Sequence, residues 1–251
     1  IVCKFSSTSW YKDEGFYYSK YDQPKEGSIL SGMTDTHKVY FHKLGTKQSE
    51  DQLIIGGDNF KRRYLSAYVS EDERFLILSA AVNTSGNELY IKDLSKANSP
   101  IVIIVADFKS DNNIIENEGT KLFIETDWNA PNKRIVTVDA NNPKPQNWKN
   151  FIAETENVLS PSTGGGYFFA NYMKDAVSVV KQYDYNGKLV RQIELPGVGT
   201  ASGFGGKKKE NVLYYSFTNY VTPGSTFSFD AAKGTSAVYQ KPKVDFDSEK
   251  Y

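Results

Sequence analysis

Tyr90-Ile91-Lys92-Asp93-Leu94 is the stretch whose reading decides the fold. Apolar and polar side chains alternate up to an acidic residue, a polar turn follows, and a second apolar run starts at Ile101. The same arrangement returns at His42-Lys43-Leu44, Val138-Asp139-Ala140, Tyr183-Asp184-Tyr185 and Phe229-Asp230-Ala231. The central positions 43, 93, 139, 184 and 230 lie 50, 46, 45 and 46 residues apart. A second series, Phe16, Phe75, Leu122, Tyr167 and Leu213, sits upstream in every unit. Its last three intervals are 47, 45 and 46; the first is 59 because residues 23–36 are an insertion of Pro, Gly, Ser and charged residues.

Two series with one period imply a structural repeat. Short runs rich in Tyr, Phe, Val, Ile and Thr fill each unit, bounded by Gly, Asn, Asp, Ser or Pro, as strands are. Four strands in about 46 residues is the size of a propeller blade. The reading is therefore all-β: a β-propeller of four-stranded antiparallel blades, about five of them, near 1–57, 60–108, 112–155, 158–198 and 200–243. A sandwich has no reason to repeat at this period and ranks below. Only 175–182 imitates a helix turn, and its Val pairs suit a strand better. The first strands are expected at 4–10, 62–69, 112–118, 157–162 and 201–206. The apolar second and third strands supply the packing, and the fourth faces outward.

Composition narrows the function. The 251 residues carry 30 basic and 30 acidic side chains, so the electrostatic signature of a nucleic-acid binder is missing. The single Cys rules out an internal disulfide framework and a multi-thiolate zinc site. The apolar run 101–106 is far short of the roughly 20 residues that span a bilayer. No nucleic-acid partner, membrane partner, metal or cofactor is expected. The chain begins with Ile, which points to a boundary between blades of a longer chain, and the missing leader says nothing of that chain's compartment.

Catalytic patterns are scarce. No Gly-x-Ser-x-Gly elbow occurs. His37 and His42 are five apart on one expected strand, which points them to opposite faces. Gly164-Gly165-Gly166 and Gly203-Phe204-Gly205-Gly206 match no phosphate loop and read as tight turns or close backbone approach. Lys207-Lys208-Lys209 precedes Glu210 and reads as a solvated loop. The pairs Asp13-Glu14 and Glu71-Asp72 lie in turns with no partner in view. Cys3 reads as buried, and Asn83-Thr84-Ser85 fits the N-glycosylation triplet.

Several stretches carry a resemblance. They are Lys4-Phe5-Ser6 with Trp10, residues 39–51 through His42-Lys43-Leu44-Gly45-Thr46-Lys47-Gln48-Ser49-Glu50-Asp51, residues 28–35, residues 87–94 and residues 213–224. Together they resemble the prolyl oligopeptidase family of serine peptidases, in its flavobacterial type. The resemblance implies a seven-bladed propeller capping an α/β-hydrolase domain in a parent enzyme that cleaves short peptides after proline. This chain corresponds to about blades three to seven, and 244–251 leads toward the hydrolase domain. The catalytic Ser, Asp and His belong to that domain, so this chain alone is expected to be inactive.

The same resemblance assigns three side chains to the pocket for the substrate residue two before the proline: Phe5, Tyr64 and Thr84. Tyr64 and Thr84 depart from the mammalian pattern. Phe5 also fits a packing role between blades. Expected partners are the parent's own hydrolase domain and short proline-containing peptides, with self-association through exposed blade faces. The implied compartment is the periplasm or the exterior, with the cytoplasm left open. The competing reading is a stand-alone propeller that binds a peptide or glycan. A propeller lactonase or glycosidase needs clustered carboxylates, and the expected inner strands offer mainly Glu116 and Glu118.

Overall fold

The computed structural model describes residues 6–22, 27, 31 and 35–243. Strands dominate these residues and form five four-stranded sheets, each ordered as a simple up-and-down meander. The first holds β1 (Thr8–Tyr11), β2 (Gly15–Lys20), β3 (Lys38–Lys43) and β4 (Gln52–Ile55). The second holds β5 (Tyr64–Val69), β6 (Phe75–Ala81), β7 (Asn87–Asp93) and β8 (Ile101–Val105). The third holds β9 (Asn112–Glu118), β10 (Lys121–Thr126), β11 (Arg134–Asp139) and β12 (Lys149–Ile152). The fourth holds β13 (Leu159–Gly164), β14 (Tyr167–Lys174), β15 (Val177–Tyr183) and β16 (Leu189–Gln192). The fifth holds β17 (Thr200–Gly203), β18 (Val212–Thr218), β19 (Ser225–Asp230) and β20 (Thr235–Gln240). The chain divides into two compact units, Ile1–Trp128 with Thr137–Trp148, and Asn129–Val136 with Lys149–Tyr251.

The periodic acidic residue has a local cause. Asp93 accepts the backbone N–H of Ser95 at 3.0 Å, and Asp139 that of Asn141 at 2.8 Å. Asp184 accepts from Asn186 and Lys188, both at 2.9 Å, and Asp230 from Ala232 and Lys233 at 3.1 and 2.9 Å. Each carboxylate closes the turn between its sheet's third and fourth strands as an Asx turn does. In the first sheet Lys43 takes that position, and its carbonyl receives the Thr46 hydroxyl at 2.8 Å.

A second repeat lies one strand further on. In four sheets the fourth strand carries one residue too many for its partner, skipping Ile54, Ile104, Val190 and Tyr239 in the pairing. Such bulges bend and twist the strand that bears them.

Within the first unit, Tyr17, Val39 and Ile55 pack on Leu65, Ala67, Leu76, Leu78 and Ala80. Burying each large side chain contributes roughly 1.5–3 kcal/mol. Polar stitches cross the same seam. The Ser19 hydroxyl donates to the Leu65 carbonyl at 2.8 Å, and the Val69 N–H donates to Ser9 Oγ at 2.9 Å. Between the second and third sheets, Asn112 N–H donates to Asn87 Oδ1 at 2.7 Å while Asn87 Nδ2 donates to the Asn112 carbonyl at 3.0 Å. Tyr68 donates to the Ile114 carbonyl at 2.6 Å, and burial raises its phenol pKa far above the usual range.

Within the second unit, Phe169, Val180 and Ile193 meet Phe204, Leu213, Tyr215, Phe217 and Phe229. Phe204 stacks on Tyr215 with centroids 4.4 Å apart. The expected strand at 201–206 is shorter, because Gly203 and Phe204 take φ of 120° and 63° and turn the Phe204 ring inward. Residues 177–183 form β15, so the helix-like stretch is a strand. In the fifth sheet β18 alternates strictly: Leu213, Tyr215 and Phe217 are buried, while Val212, Tyr214 and Ser216 are exposed. Val238 and Tyr239 are exposed as well.

Candidate functional site

Tyr64 opens β5, and strand alternation exposes it while burying Leu65 beside it. In the pairing of β5 with β6, Tyr64 stands opposite Ala81. The chain then turns through Val82, Asn83, Thr84 and Ser85 into β7. That register brings Tyr64 and Thr84, 20 residues apart, to one open recess of about 820 Å³, lined also by Ala81, Val82, Asn83 and Ser85. Phe5 lies outside the described residues, as do Cys3 and 244–251.

The recess stands on a tight foundation. Arg63, next to Tyr64, pairs with Glu88 at 2.6 Å. Its guanidinium lies 5.2 Å from the Phe60 ring centre and 5.4 Å from that of Phe108. Tyr90 donates to the same Glu88 oxygen at 2.7 Å. Burial, reinforced by Glu88, raises the Tyr90 phenol pKa well above its ordinary value. On the hairpin side, Gly86 N–H donates to Asp111 at 2.6 Å and its Cα lies against the Phe108 backbone. Beneath Tyr64, the buried His37 ring accepts the Leu65 N–H through Nδ1 at 2.8 Å. His37 precedes β3 and does not sit on that strand.

His42 is part of a hydrogen-bonded group of its own. Its Nδ1 lies 2.7 Å from Asp51, whose other oxygen receives the Tyr18 hydroxyl at 2.5 Å. Gln48 donates to that hydroxyl at 2.9 Å. A short turn at Gln48–Glu50 returns the chain beneath His42. These groups and Ser6, Ser7, Thr8 and Phe16 line a recess of about 560 Å³. An imidazole held by a carboxylate is half of a nucleophile-activating arrangement. Ser6, however, donates to the Ser7 carbonyl and accepts the Ser19 N–H. Among the described residues no hydroxyl hydrogen-bonds His42, and the pair orders the Gln48–Glu50 turn.

The remaining candidates are structural. The two glycine clusters meet: Gly165 N–H donates to the Lys207 carbonyl and Gly206 N–H to the Thr163 carbonyl, both at 3.0 Å. Glu210 caps the Lys207 N–H at 2.8 Å, and Lys208 sits over the Tyr185 ring at 3.9 Å. Asp72 ties its own turn through Ser70 and Arg74 and reaches Asn117 at 2.7 Å. Among the described residues no group of three or more His, Cys, Asp or Glu is arranged to hold a metal ion.

Comparison with known proteins supplies the rest. A family model described as the prolyl oligopeptidase N-terminal beta-propeller domain matches residues 2–242. Prolyl endopeptidases of Elizabethkingia miricola and Elizabethkingia meningoseptica are each 61% identical over 248 residues, covering 99% of this chain and 35% of the relative. The chain thus spans about a third of the length of the curated relatives it matches. A solved prolyl endopeptidase, described in terms of inter-domain dynamics in catalysis and specificity, superimposes with a TM-score of 0.87 at 27% identity. Prolyl oligopeptidase B from Galerina marginata, bound to a 35mer hydrolysis and macrocyclization substrate, gives 0.86 at 25% identity. Each superposition covers 98% of this chain and 35% of the other.

Proposed function

The chain belongs to the prolyl oligopeptidase family as its N-terminal β-propeller domain, and from that premise we propose that it gates and filters substrates for a serine-type prolyl endopeptidase. The catalytic Ser, Asp and His lie in the parent's α/β-hydrolase domain, and this chain alone does not hydrolyse peptides. A protease with an open cleft cuts exposed loops of folded proteins without choice. A cap over the cleft admits short flexible chains, excludes water and completes the substrate pocket.

One observation carries this reading. Tyr64 and Thr84, the described residues that the family resemblance assigns to the pocket, line one recess. The recess takes the side chain two residues before the proline. The parent works in the periplasm or outside the cell. Without its neighbouring domain the isolated chain associates through exposed sheet faces such as that of Tyr214 and Tyr239.

The test compares the intact peptidase on proline-containing chromogenic peptides of increasing length and on a folded protein with surface prolines, beside the chain alone. Selective cutting of short peptides by the intact enzyme, with no turnover by the chain, is expected. Equal rates on the folded protein, or turnover by the purified chain, overturn the proposal.

A further inference from the structure

We infer that Arg63 is a positioning residue for substrate selection: through Glu88, Phe60 and Phe108 it holds Tyr64 at a fixed distance from the Val82–Ser85 turn. The inference rests on the reading of that recess as a substrate pocket. It goes further by locating what sets the pocket's width.

The two walls of the recess have different origins. Tyr64 is the first residue of β5 and has strand neighbours on one chain side only. The opposite wall is a hairpin tip, the kind of segment that moves most easily. Arg63 joins the two. Its backbone is continuous with Tyr64, and its guanidinium is bound to Glu88, the second residue of β7 beyond the tip. Glu88 is 6% exposed. Its bond from Tyr90 keeps it from swinging away when the tip moves.

The aromatic contacts make the clamp directional. The planar guanidinium lies against both Phe60 and Phe108. Phe108 in turn fills the space behind Gly86, where a Cβ would come within 1.9 Å of the Phe108 carbonyl oxygen. Arg63 therefore meets the hairpin directly through charge at Glu88, and indirectly through the Phe108 ring, whose own backbone lies against Gly86. A lysine retains the first contact and loses the second, because it lacks the flat face. Neither Arg63 nor Glu88 lines the recess, so their effect on a substrate runs through Tyr64 and Thr84.

The experiment uses the full-length peptidase and two chromogenic substrates, one with a single residue before the proline and one with an aromatic residue two before it. In Arg63→Met the ratio of kcat/KM for the longer over the shorter substrate falls about three- to tenfold, carried by KM. Glu88→Gln keeps the shape and lowers the ratio less, and Arg63→Lys falls between wild type and Arg63→Met. Tyr64→Ala reports on the recess itself. If Tyr64→Ala leaves the ratio unchanged, the pocket reading fails and this inference with it. If Tyr64→Ala lowers the ratio while neither Arg63→Met nor Glu88→Gln does, the positioning role alone is overturned. Should Arg63→Met fail to fold, Glu88→Gln and Arg63→Lys decide.

Discussion

The Asp184 carboxylate accepts the backbone N–H of Asn186 at 2.9 Å, and the same oxygen takes the N–H of Lys188 at 2.9 Å. One side chain thereby satisfies two donors of the β15–β16 turn. Its counterparts Asp93, Asp139 and Asp230 do the same work in their own sheets. Replacing Asp184 by Ala frees both N–H groups to water and relaxes the turn. The melting temperature drops by a few degrees, and Asp184→Asn, which keeps an accepting oxygen, drops less. Thermal scans of the two variants check the order.

The same carboxylates make stability depend on acid. Backbone and side-chain hydrogen bonds lower the pKa of Asp184 and Asp230 below the ordinary 3.8. Partial burial pushes the Asp93 carboxyl up, but bonds from Ser95 and Lys96 with the charge of Arg74 outweigh it, and its pKa is also lowered. A depressed carboxyl pKa contributes stability that is complete above the unfolded value and fades as pH falls through the folded one. The urea midpoint is therefore expected to fall as the pH drops below the ordinary carboxyl value of 3.8. In the triple Ala variant of Asp93, Asp184 and Asp230 that decline is shallower.

Gly86 tolerates no side chain. Its φ is +75°, and a Cβ there meets the Phe108 carbonyl oxygen at 1.9 Å. Gly86→Ala combines left-handed strain with a backbone clash and destabilises by about 2 kcal/mol or more. Gly45, with φ +80° and open space around it, separates the two causes. Gly45→Ala carries the strain alone and costs about 1 kcal/mol. Urea denaturation of both variants measures the difference.

The exposed face of the fifth sheet is where the proposed self-association of the isolated chain is tested. Tyr214 and Tyr239 pack edge to face at 4.9 Å and are 47% and 63% exposed. The chain alone is expected to associate at micromolar concentration, and Tyr214→Lys with Tyr239→Lys shifts it toward monomer. Light scattering reads this directly. An unchanged mass in the double variant overturns the role of this face.

The repeat was legible in the sequence because its cause is local. An Asx turn joins residues two apart, so Asp93, Asp139, Asp184 and Asp230 mark their turns without any knowledge of packing. The side-chain bonds between residues distant in sequence left no such trace. Arg63 precedes β5 and Glu88 lies 25 residues on in β7, and no local pattern around either names the other. His42 and Asp51 are only nine apart, yet their meeting depends on the Gln48–Glu50 turn reversing the chain. Tyr64 and Thr84 were singled out by family resemblance; the β5–β6 register is what places them together.

The surplus residue in the outermost strand has a consequence for how the molecule meets other proteins. A flat outer strand offers a row of unpaired amides and carbonyls that a foreign strand can join. Ile54, Ile104, Val190 and Tyr239 each interrupt that row at one point. A strand arriving from another chain loses register at the bulge after a few residues and cannot extend. A domain built from many short strands is thereby kept from recruiting foreign extended chains as additional strands.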